Sequence, residues 1–389
     1  MTVTSAARTD VSAGDLAERD RRYARVRGGM ADAGLDLLLA FGPGWRRENV
    51  RYLADAPLAA ASAFVALPAE GEPLAFTTNE RDVAAILDRG WVGEARMLDP
   101  NNADGCVRWL RERHGAASRV GIAHHELLPS MLLGLLRRAL PGAEFVSATG
   151  LLDDARLVKS DWELDRMRRS ASVCAAGWRA FVEALEPGLP EYRIVAAVET
   201  EIKRLGAEDN FMLIASGRDE VRGMTPPSDR PLAEGDMVRT ELTPQMDGYW
   251  LQICRSAVVG RASDAQRRSF DLFNEAVEAG LGVVHPGVTA HQVAKAQNDV
   301  FRLRGLGEYC SSRYTRVRGH GHGLHLDETP IIEGNETVLP ENSVFIIHPN
   351  TYTPIAGYHV LGDPVRVTAD GYEILVPTER KLFETEVDA

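Results

Sequence analysis

Apolar and polar positions follow two different periods in the first part of the chain. Short apolar runs are typical of buried strands and occur at 35–41, 64–67, 73–76, 120–123 and 143–146. Amphipathic helical patterns occupy 17–33, 81–89, 104–114 and 128–139. Because strands and helices alternate, this part predicts an α/β domain.

The second part begins with a long amphipathic pattern over 160–186. Ser160-x-x-Glu163 forms a capping box at its start, and Pro187-Gly188 ends it. A second helical pattern at 190–205 and strand patterns at 210–215, 237–243 and 248–259 follow.

The same order recurs after Ser263. Helical patterns at 263–283 and 289–303 are separated by Pro286-Gly287, and strand patterns follow. A repeated order of elements predicts an internal duplication. Chance is the alternative, because Pro-Gly between helices is common.

Length and patterning together predict three segments. The 389 residues are too many for one ordinary core and suit two domains. We expect a flexible tail at 1–15, an α/β domain at 16–153 and a duplicated α+β domain at 154–389.

Net charge and cysteine spacing limit the kinds of binding partner and the cellular compartment that the sequence predicts. The net charge of −12 and the lack of a long basic run argue against a nucleic-acid or membrane partner. No apolar run approaches the roughly 20 residues that cross a bilayer. The cysteines, Cys106, Cys174, Cys254 and Cys310, are widely spaced, which is typical of reduced thiols and predicts a cytoplasmic protein.

Four segments of the second domain contain residues that could carry chemistry. They are Glu234–Ser256, Gly319–Pro330, Leu339–Pro349 and Gly362–Leu375. In order and spacing, they resemble the creatinase, proline-aminopeptidase and methionine-aminopeptidase family. Two further segments, Asn49–Leu53 and Arg156–Glu163, support the same resemblance.

The resemblance implies a fold and an assembly. It implies a pita-bread α+β catalytic domain with an internal duplication, preceded by a smaller α/β creatinase-type N-terminal domain. It also implies a homodimer that acts on a small-molecule substrate.

The resemblance also implies five metal-ligand positions. In this sequence they hold Glu241, Gln252, His320, His348 and Gly362, of which only His320 keeps the family's residue. Two adjacent divalent cations need several carboxylates to offset their repulsion, and this set offers one. We therefore expect no dinuclear metal site and no cofactor.

Creatinase-like members show that the fold can act without metal, through a histidine and carboxylates. Their pattern is only partly present here, because Met224, Cys254 and His348 occupy positions of their catalytic residues. The first domain also lacks a substrate-binding arginine in 59–64. Creatine is therefore not expected to be the substrate.

The remaining polar residues predict a site. Two histidines beside a carboxylate can act as a general acid and base near neutral pH, so the expected catalytic residues are His320, His348 and Glu241. The expected substrate-binding residues are Gln252, Tyr249, Cys254, His322, Glu328 and Met224. The structural alternatives are a satisfied polar histidine in a strand, an inert buried Cys254 and a packing role for Tyr249.

These expectations lead to a metal-independent creatinase-like enzyme for a small polar, amino-acid-derived molecule, with hydrolysis of a C–N bond by histidine acid–base catalysis. Three alternatives stay open. They are a metal-free lyase, dehydratase or cyclase of specialised metabolism, a non-catalytic ligand- or peptide-binding pseudo-peptidase, and a mononuclear iron or manganese enzyme with two histidines and one glutamate.

Overall fold

The computed structural model describes residues 12–44, 46–59, 62–98 and 104–385. The chain divides into two compact units, with the division between Arg156 and Leu157. Residues 1–11 of the expected tail lie outside the described residues. The expectation of a tail is wrong for 13–15, because the first helix begins at Ala13 with the Ser12 hydroxyl as its N-cap.

The first unit has an α/β architecture. Its helices are α1 (Ala13–Asp32), α2 (Glu48–Ala54), α3 (Glu80–Arg89), α4 (Asp104–His114), α5 (Ser130–Ala139) and α6 (Thr149–Leu157). Its strands are β1 (Leu37–Pro43), β2 (Ser62–Pro68), β3 (Leu74–Thr77), β4 (Glu94–Met97), β5 (Arg119–Ala123) and β6 (Glu144–Ser147). A short 3-10 helix covers His125–Leu127.

These strands form one six-stranded mixed sheet in the order β4-β3-β2-β1-β5-β6. Strand β1 is central, antiparallel to β2 and parallel to β5. Its apolar residues are buried, and Phe41, Phe76 and Trp109 belong to one core cluster against the sheet. The continuous apolar run of β1 therefore reflects a strand that is buried on both faces of the sheet.

The second unit has an α+β architecture. Its helices are α7 (Asp161–Glu183), α8 (Glu191–Arg204), α9 (Asp264–Leu281) and α10 (Ala290–Leu303), with a 3-10 helix at Gly307–Cys310. Its strands are β7 (Asp209–Gly217), β8 (Met237–Met246), β9 (Tyr249–Trp250), β10 (Ile253–Val258), β11 (Gly319–Gly321), β12 (Val344–Ile347), β13 (Thr351–Thr353), β14 (Gly357–His359), β15 (Asp363–Thr368), β16 (Gly371–Ile374) and β17 (Phe383–Glu384).

The repeated order predicted from the sequence is present. Helices α7 and α8, and then α9 and α10, form pairs that precede strands. Capping boxes start α7 at Ser160, α9 at Ser263 and α10 at Thr289. Each pair is broken by a glycine with positive φ, 86° at Gly188 and 97° at Gly287.

The strands of the second unit form two main sheets rather than one continuous sheet. One has the order β17-β10-β8-β7 with β9 paired to β8, and the other has the order β11-β12-β15-β16. An isolated antiparallel bridge between Cys254 and Gly362 joins them. The buried Arg255 guanidinium donates to the carbonyl oxygens of both bridge residues, which fixes this junction. Among the described helices, none is long and apolar enough to cross a membrane.

Candidate active site

The first group of polar residues lies where β8 and β10 pair. Glu241 is the register partner of Cys254. The Asn350 side-chain nitrogen donates to Glu241 Oε1 at 2.9 Å and lies 3.3 Å from Cys254 Sγ. The Asn350 side-chain oxygen accepts from the backbone nitrogen of Leu361 at 3.0 Å, so the amide orientation is fixed. Glu241 is therefore held in one position by a buried amide.

The junction between the two sheets connects this group to His348. Cys254 exchanges backbone hydrogen bonds with Gly362 across the isolated bridge. A Cβ at Gly362 would lie only 2.5 Å from the Cβ of His348. His348 is separated from Asn350 by Pro349 alone. The short segment His348-Pro349-Asn350, between β12 and β13, thus places an imidazole beside the Glu241 group.

Three histidine rings form the second group. The His320 ring centroid lies 5.4 Å from that of His348 and 4.8 Å from that of His322. His320 Nδ1 lies 3.2 Å from Asp327 Oδ1, so this carboxylate orients the ring. His320 and His322 are two residues apart around β11, and their ring contact agrees with the shared face that strand alternation predicts.

Burial determines the protonation of the histidines. It lowers the pKa of His320, and it lowers the pKa of His322 and His348 well below the usual range. Asp327 opposes the shift at His320, whereas the neighbouring rings add to it at the other two. Within the described part of the chain, both ring nitrogens of His322 and Nδ1 of His348 are buried and have no hydrogen-bond partner. These neutral imidazoles therefore have free capacity for a ligand.

Burial acts in the opposite direction on Glu241. Part of its surface still faces solvent, but protein atoms surround its carboxyl group, and this burial raises the pKa of Glu241 to about 7. The Asn350 hydrogen bond lowers the pKa and the charge of Asp327 raises it. Because Asp327 acts on Glu241 and contacts His320, it links the carboxylate group to the histidine group.

A buried ion pair borders the histidines. Lys159 Nζ lies 2.8 Å from Glu328 Oε2, and their side chains are only 2% and 8% exposed. The charge of Lys159 contributes to the low pKa of His322. Added atoms at Gly323 would collide with Glu328, so the loop after β11 packs tightly against this pair. Glu328 therefore neutralises Lys159.

A polar cleft of about 620 Å³ lies beside the side-chain cluster that includes Cys254. Its wall includes Met224, Tyr352 and Tyr358, which belong to the same cluster as Cys254. The buried Arg239 guanidinium positions this wall. It donates to the carbonyl oxygens of Tyr358 and Ala356 in the β13–β14 region and to those of Gly217 and Arg218 at the end of β7.

Comparison with known proteins decides the family. The model described as "Metallopeptidase family M24" matches residues 165–369, more than half of the chain, and that described as "Creatinase/Prolidase N-terminal domain" matches 22–158. The chain belongs to metallopeptidase family M24. The resemblance and the pita-bread fold expected from the sequence are confirmed.

Relatives of this M24 protein include dipeptidases. It is 30% identical over 243 residues to the Xaa-Pro dipeptidase of Pyrococcus furiosus, which is 62% of this chain and 69% of that protein. The dipeptidase PepE structure from Mycobacterium ulcerans matches with a TM-score of 0.78 and 26% identity, over 97% of this chain and 99% of that one. The prolidase structure from Pyrococcus horikoshii OT3 shares the fold, with a TM-score of 0.81, 24% identity and coverage of 93% and 99%.

The comparisons correct the expected function. A metal-independent creatinase-like enzyme is the wrong expectation, because the family is one of metallopeptidases and the relatives are named Xaa-Pro dipeptidases. The coarser expectation, an enzyme of the hydrolase class, is supported by the same relatives. The error came from inferring the reaction from the substituted ligand positions alone.

The family name implies metal, but the side chains at its ligand positions do not fit a pair of divalent cations. Glu241 is the only carboxylate among them, and Gln252 offers an amide that donates to Cys254 Sγ at 3.4 Å. No side chain fits at Gly362, because its Cβ would collide with His348. Among the described residues, no group of three or more histidine, cysteine, aspartate or glutamate side chains could hold a metal ion.

The structure brings together most of the residues predicted for the site. Cys254 and Gln252 lie beside the Glu241 group, His322 and Glu328 lie beside His320, and Met224 lines the cleft. Burial raises the pKa of the Cys254 thiol well above its usual range, which favours the inert alternative over a nucleophile. The predicted roles of these residues in binding stay predictions.

Tyr249 lies in a different environment from the predicted one. Its ring is fully buried, and its hydroxyl donates to Glu163 Oε1 at 3.0 Å. Glu163 is part of the capping box that starts α7. This hydrogen bond gives Tyr249 a structural role at the helix terminus, as the packing alternative proposed.

Several residues of the site were missed by sequence reasoning. Asn350 holds Glu241, Asp327 orients His320 and Lys159 pairs with Glu328. Asn350 lies two positions after His348, and this proximity is the one feature of the sequence that could have indicated it. Tyr352 and Tyr358 were missed because the β13–β14 hairpin brings them to the cleft.

Proposed function

We propose that this M24 protein is a dipeptidase-like hydrolase that cleaves the amide bond of a small, dipeptide-sized molecule. The observation that carries the proposal is the convergence of Glu241, fixed by Asn350, with His320 and His348 at the family's ligand positions and His322 beside them. The similarity to Xaa-Pro dipeptidases is the reason for proposing that the cleaved bond is an amide.

The residues suit the proton transfers of amide hydrolysis. Hydrolysis needs a group that takes a proton from water and a group that gives a proton to the leaving nitrogen. Glu241 can be the first, because its raised pKa lies near neutral pH. The protonated Glu241 can then give this proton to the leaving nitrogen, directly or through the neutral ring of His320, which Asp327 orients. Gln252 and Asn350 can orient the substrate or the water through their amides.

Direct assay tests this proposal. Purified protein is incubated with Xaa-Pro and Xaa-Ala dipeptides, in EDTA and with added Mn²⁺ or Co²⁺, and the free amino acids are quantified. We expect release from at least one dipeptide by the wild type and a loss of at least about a hundredfold in E241Q. Absence of hydrolysis by folded wild type under every metal condition would contradict the proposal.

A further inference from the structure

The cleft beside Cys254 contains two arginines whose charges no described carboxylate neutralises. Arg222 and Arg313 line it, and both guanidinium groups lie against rings, Arg222 over Tyr352 at 3.9 Å and Arg313 over Tyr314 at 5.8 Å. Within the described part of the chain, neither guanidinium makes an ion pair or a hydrogen bond. Both side chains are exposed, so their donors face solvent in the cleft.

This local charge contrasts with the rest of the molecule. The protein has a net charge of −12, but the described residues that line the cleft include two arginines and no aspartate or glutamate. A concave surface of one sign concentrates ligands of the other sign. The cleft therefore favours an anion over a cation or a neutral molecule.

Aromatic rings supply the second feature of the cleft. The rings of Tyr314 and Tyr352 are nearly parallel, with 11° between their planes and 5.9 Å between their centroids. Tyr358 adds a third ring, and its hydroxyl lies 3.5 Å from Thr315 Oγ1. Tyr352 is buried and carries the Arg222 guanidinium on its ring, whereas Tyr314 is partly exposed and offers its ring to a planar body. The outward N–H groups of Arg222 stay available for a carboxylate.

The volume of the cleft sets the size of the ligand. About 620 Å³ lies within the range of roughly 300–1,000 Å³ that is typical of small-molecule sites. Tyr358 and Met224 are packed in the cluster that includes Cys254, the register partner of Glu241. A molecule in the cleft is thus one layer of side chains from the Glu241 group.

We infer that this cleft is a subsite for a carboxylate on a planar or aromatic body, so that the substrate is an acidic aromatic amide. Arg222 and Arg313 bind the carboxylate, and Tyr314 packs against the planar body. The identification of this ligand as the substrate rests on the proposed function, but the binding itself does not.

Binding of hippurate to the full-length protein tests the inference. Hippurate joins an aromatic ring, an amide and a carboxylate, and hippuramide differs by a neutral amide in place of the carboxylate. Titration calorimetry should give at least about tenfold weaker binding for hippuramide, because the charge-assisted hydrogen bonds are lost. N-acetylglycine, which lacks the aromatic ring, should also bind at least about fivefold more weakly than hippurate.

Arginine variants locate the subsite. R222Q and R313Q should each weaken hippurate binding at least about fivefold, and the double variant further. The control is R316Q, since Arg316 is exposed on the same segment and does not line the cleft, and it should bind as the wild type does. Higher salt should weaken binding to the wild type and have less effect on the double variant.

The outcomes test the proposed subsite independently of the proposed hydrolytic activity. Hippurate binding that needs both arginines supports the subsite even if no dipeptide is hydrolysed, in which case only the proposed function fails. Equal affinity for hippurate and hippuramide, wild-type affinity in a folded R222Q/R313Q variant, or no binding to the wild type would overturn the subsite. Dipeptide hydrolysis would then stand without it.

Discussion

The carboxyl group of Glu241 is ionisable and is largely surrounded by protein atoms. Burial raises its pKa from 4.5 to about 7, whereas an unfolded chain restores the ordinary value. Well below pH 4.5 the carboxyl group is protonated in both states. As the pH rises towards 7, only the unfolded state ionises readily, so the stability of the native state falls. At about 1.4 kcal/mol per pKa unit, the loss is about 3 kcal/mol.

This shift predicts a pH dependence that E241Q removes. Between pH 5 and 8, the free energy of unfolding of the wild type should fall by up to about 3 kcal/mol more than that of E241Q. Urea denaturation in the presence of EDTA measures both profiles. E234Q, at an exposed glutamate near the start of β8, should follow the wild type. Parallel profiles for wild type and E241Q would show that the Glu241 pKa is ordinary.

The sequence predicted the carboxyl and imidazole groups of the site better than the residues that hold them in position. His320, His348 and Glu241 follow from motif positions, because family motifs keep the strands that carry them. Asn350 and Arg239 do not follow, because each acts through backbone or side-chain partners that are distant in the sequence. Pairing of Arg239 with the carbonyl oxygen of Ala356 needs the fold itself.

The contact between β10 and the segment before β15 explains why the family's ligand position at 362 holds a glycine here. Gly362 pairs with Cys254, and a Cβ there would lie 2.6 Å from the carbonyl oxygen of Ile347 and 2.5 Å from the Cβ of His348. Both distances are far below ordinary contact. Gly362 therefore allows its own segment to lie close to both Cys254 and His348. The same position is one at which the family has a carboxylate ligand.

We expect G362A to destabilise the protein by about 1–3 kcal/mol, because the added methyl group forces the strands apart. Denaturant unfolding measures the change. The control is G371A, since a Cβ at Gly371 meets no atom within 4 Å and its φ lies outside the left-handed region. A G362A variant that is as stable as G371A would show that the junction relaxes freely.

The sequence predicted long elements well and short ones poorly. Helices with caps, such as α7 and α9, begin within a residue of the predicted position. Helices α2 and α6 were missed, because seven to nine residues give little periodicity. The predicted strand 248–259 is divided into β9 and β10, since the chain breaks from the ladder at Leu251 and Gln252.

At the scale of the whole molecule, the fold followed from the sequence but the reaction did not. The order of motifs was enough for the pita-bread architecture, which relatives with quite different residues share. Reaction class depends on a few side chains, and a fold accommodates many sets of them. The lost carboxylates at Gln252 and Gly362 indicate a changed donor set, whereas the relatives indicate peptide hydrolysis.

Assembly is a separate prediction. The resemblance implies a homodimer, and we propose that the protein of 42.6 kDa forms one in solution. Sedimentation velocity at micromolar concentration should give about twice the chain mass. A single species with the mass of one chain across that range would contradict the proposal.

The most direct test of the catalytic site is the kcat/KM of H320A on a dipeptide that the wild type hydrolyses. His320 contacts Asp327, His322 and His348, so its loss removes the ring that joins the other two histidines to Asp327. We expect kcat/KM to fall at least about a hundredfold in H320A and H320N, with unchanged circular dichroism. H285A, at an exposed histidine of the same unit, should match the wild type. Near wild-type kcat/KM in folded H320A would contradict this assignment of the active site.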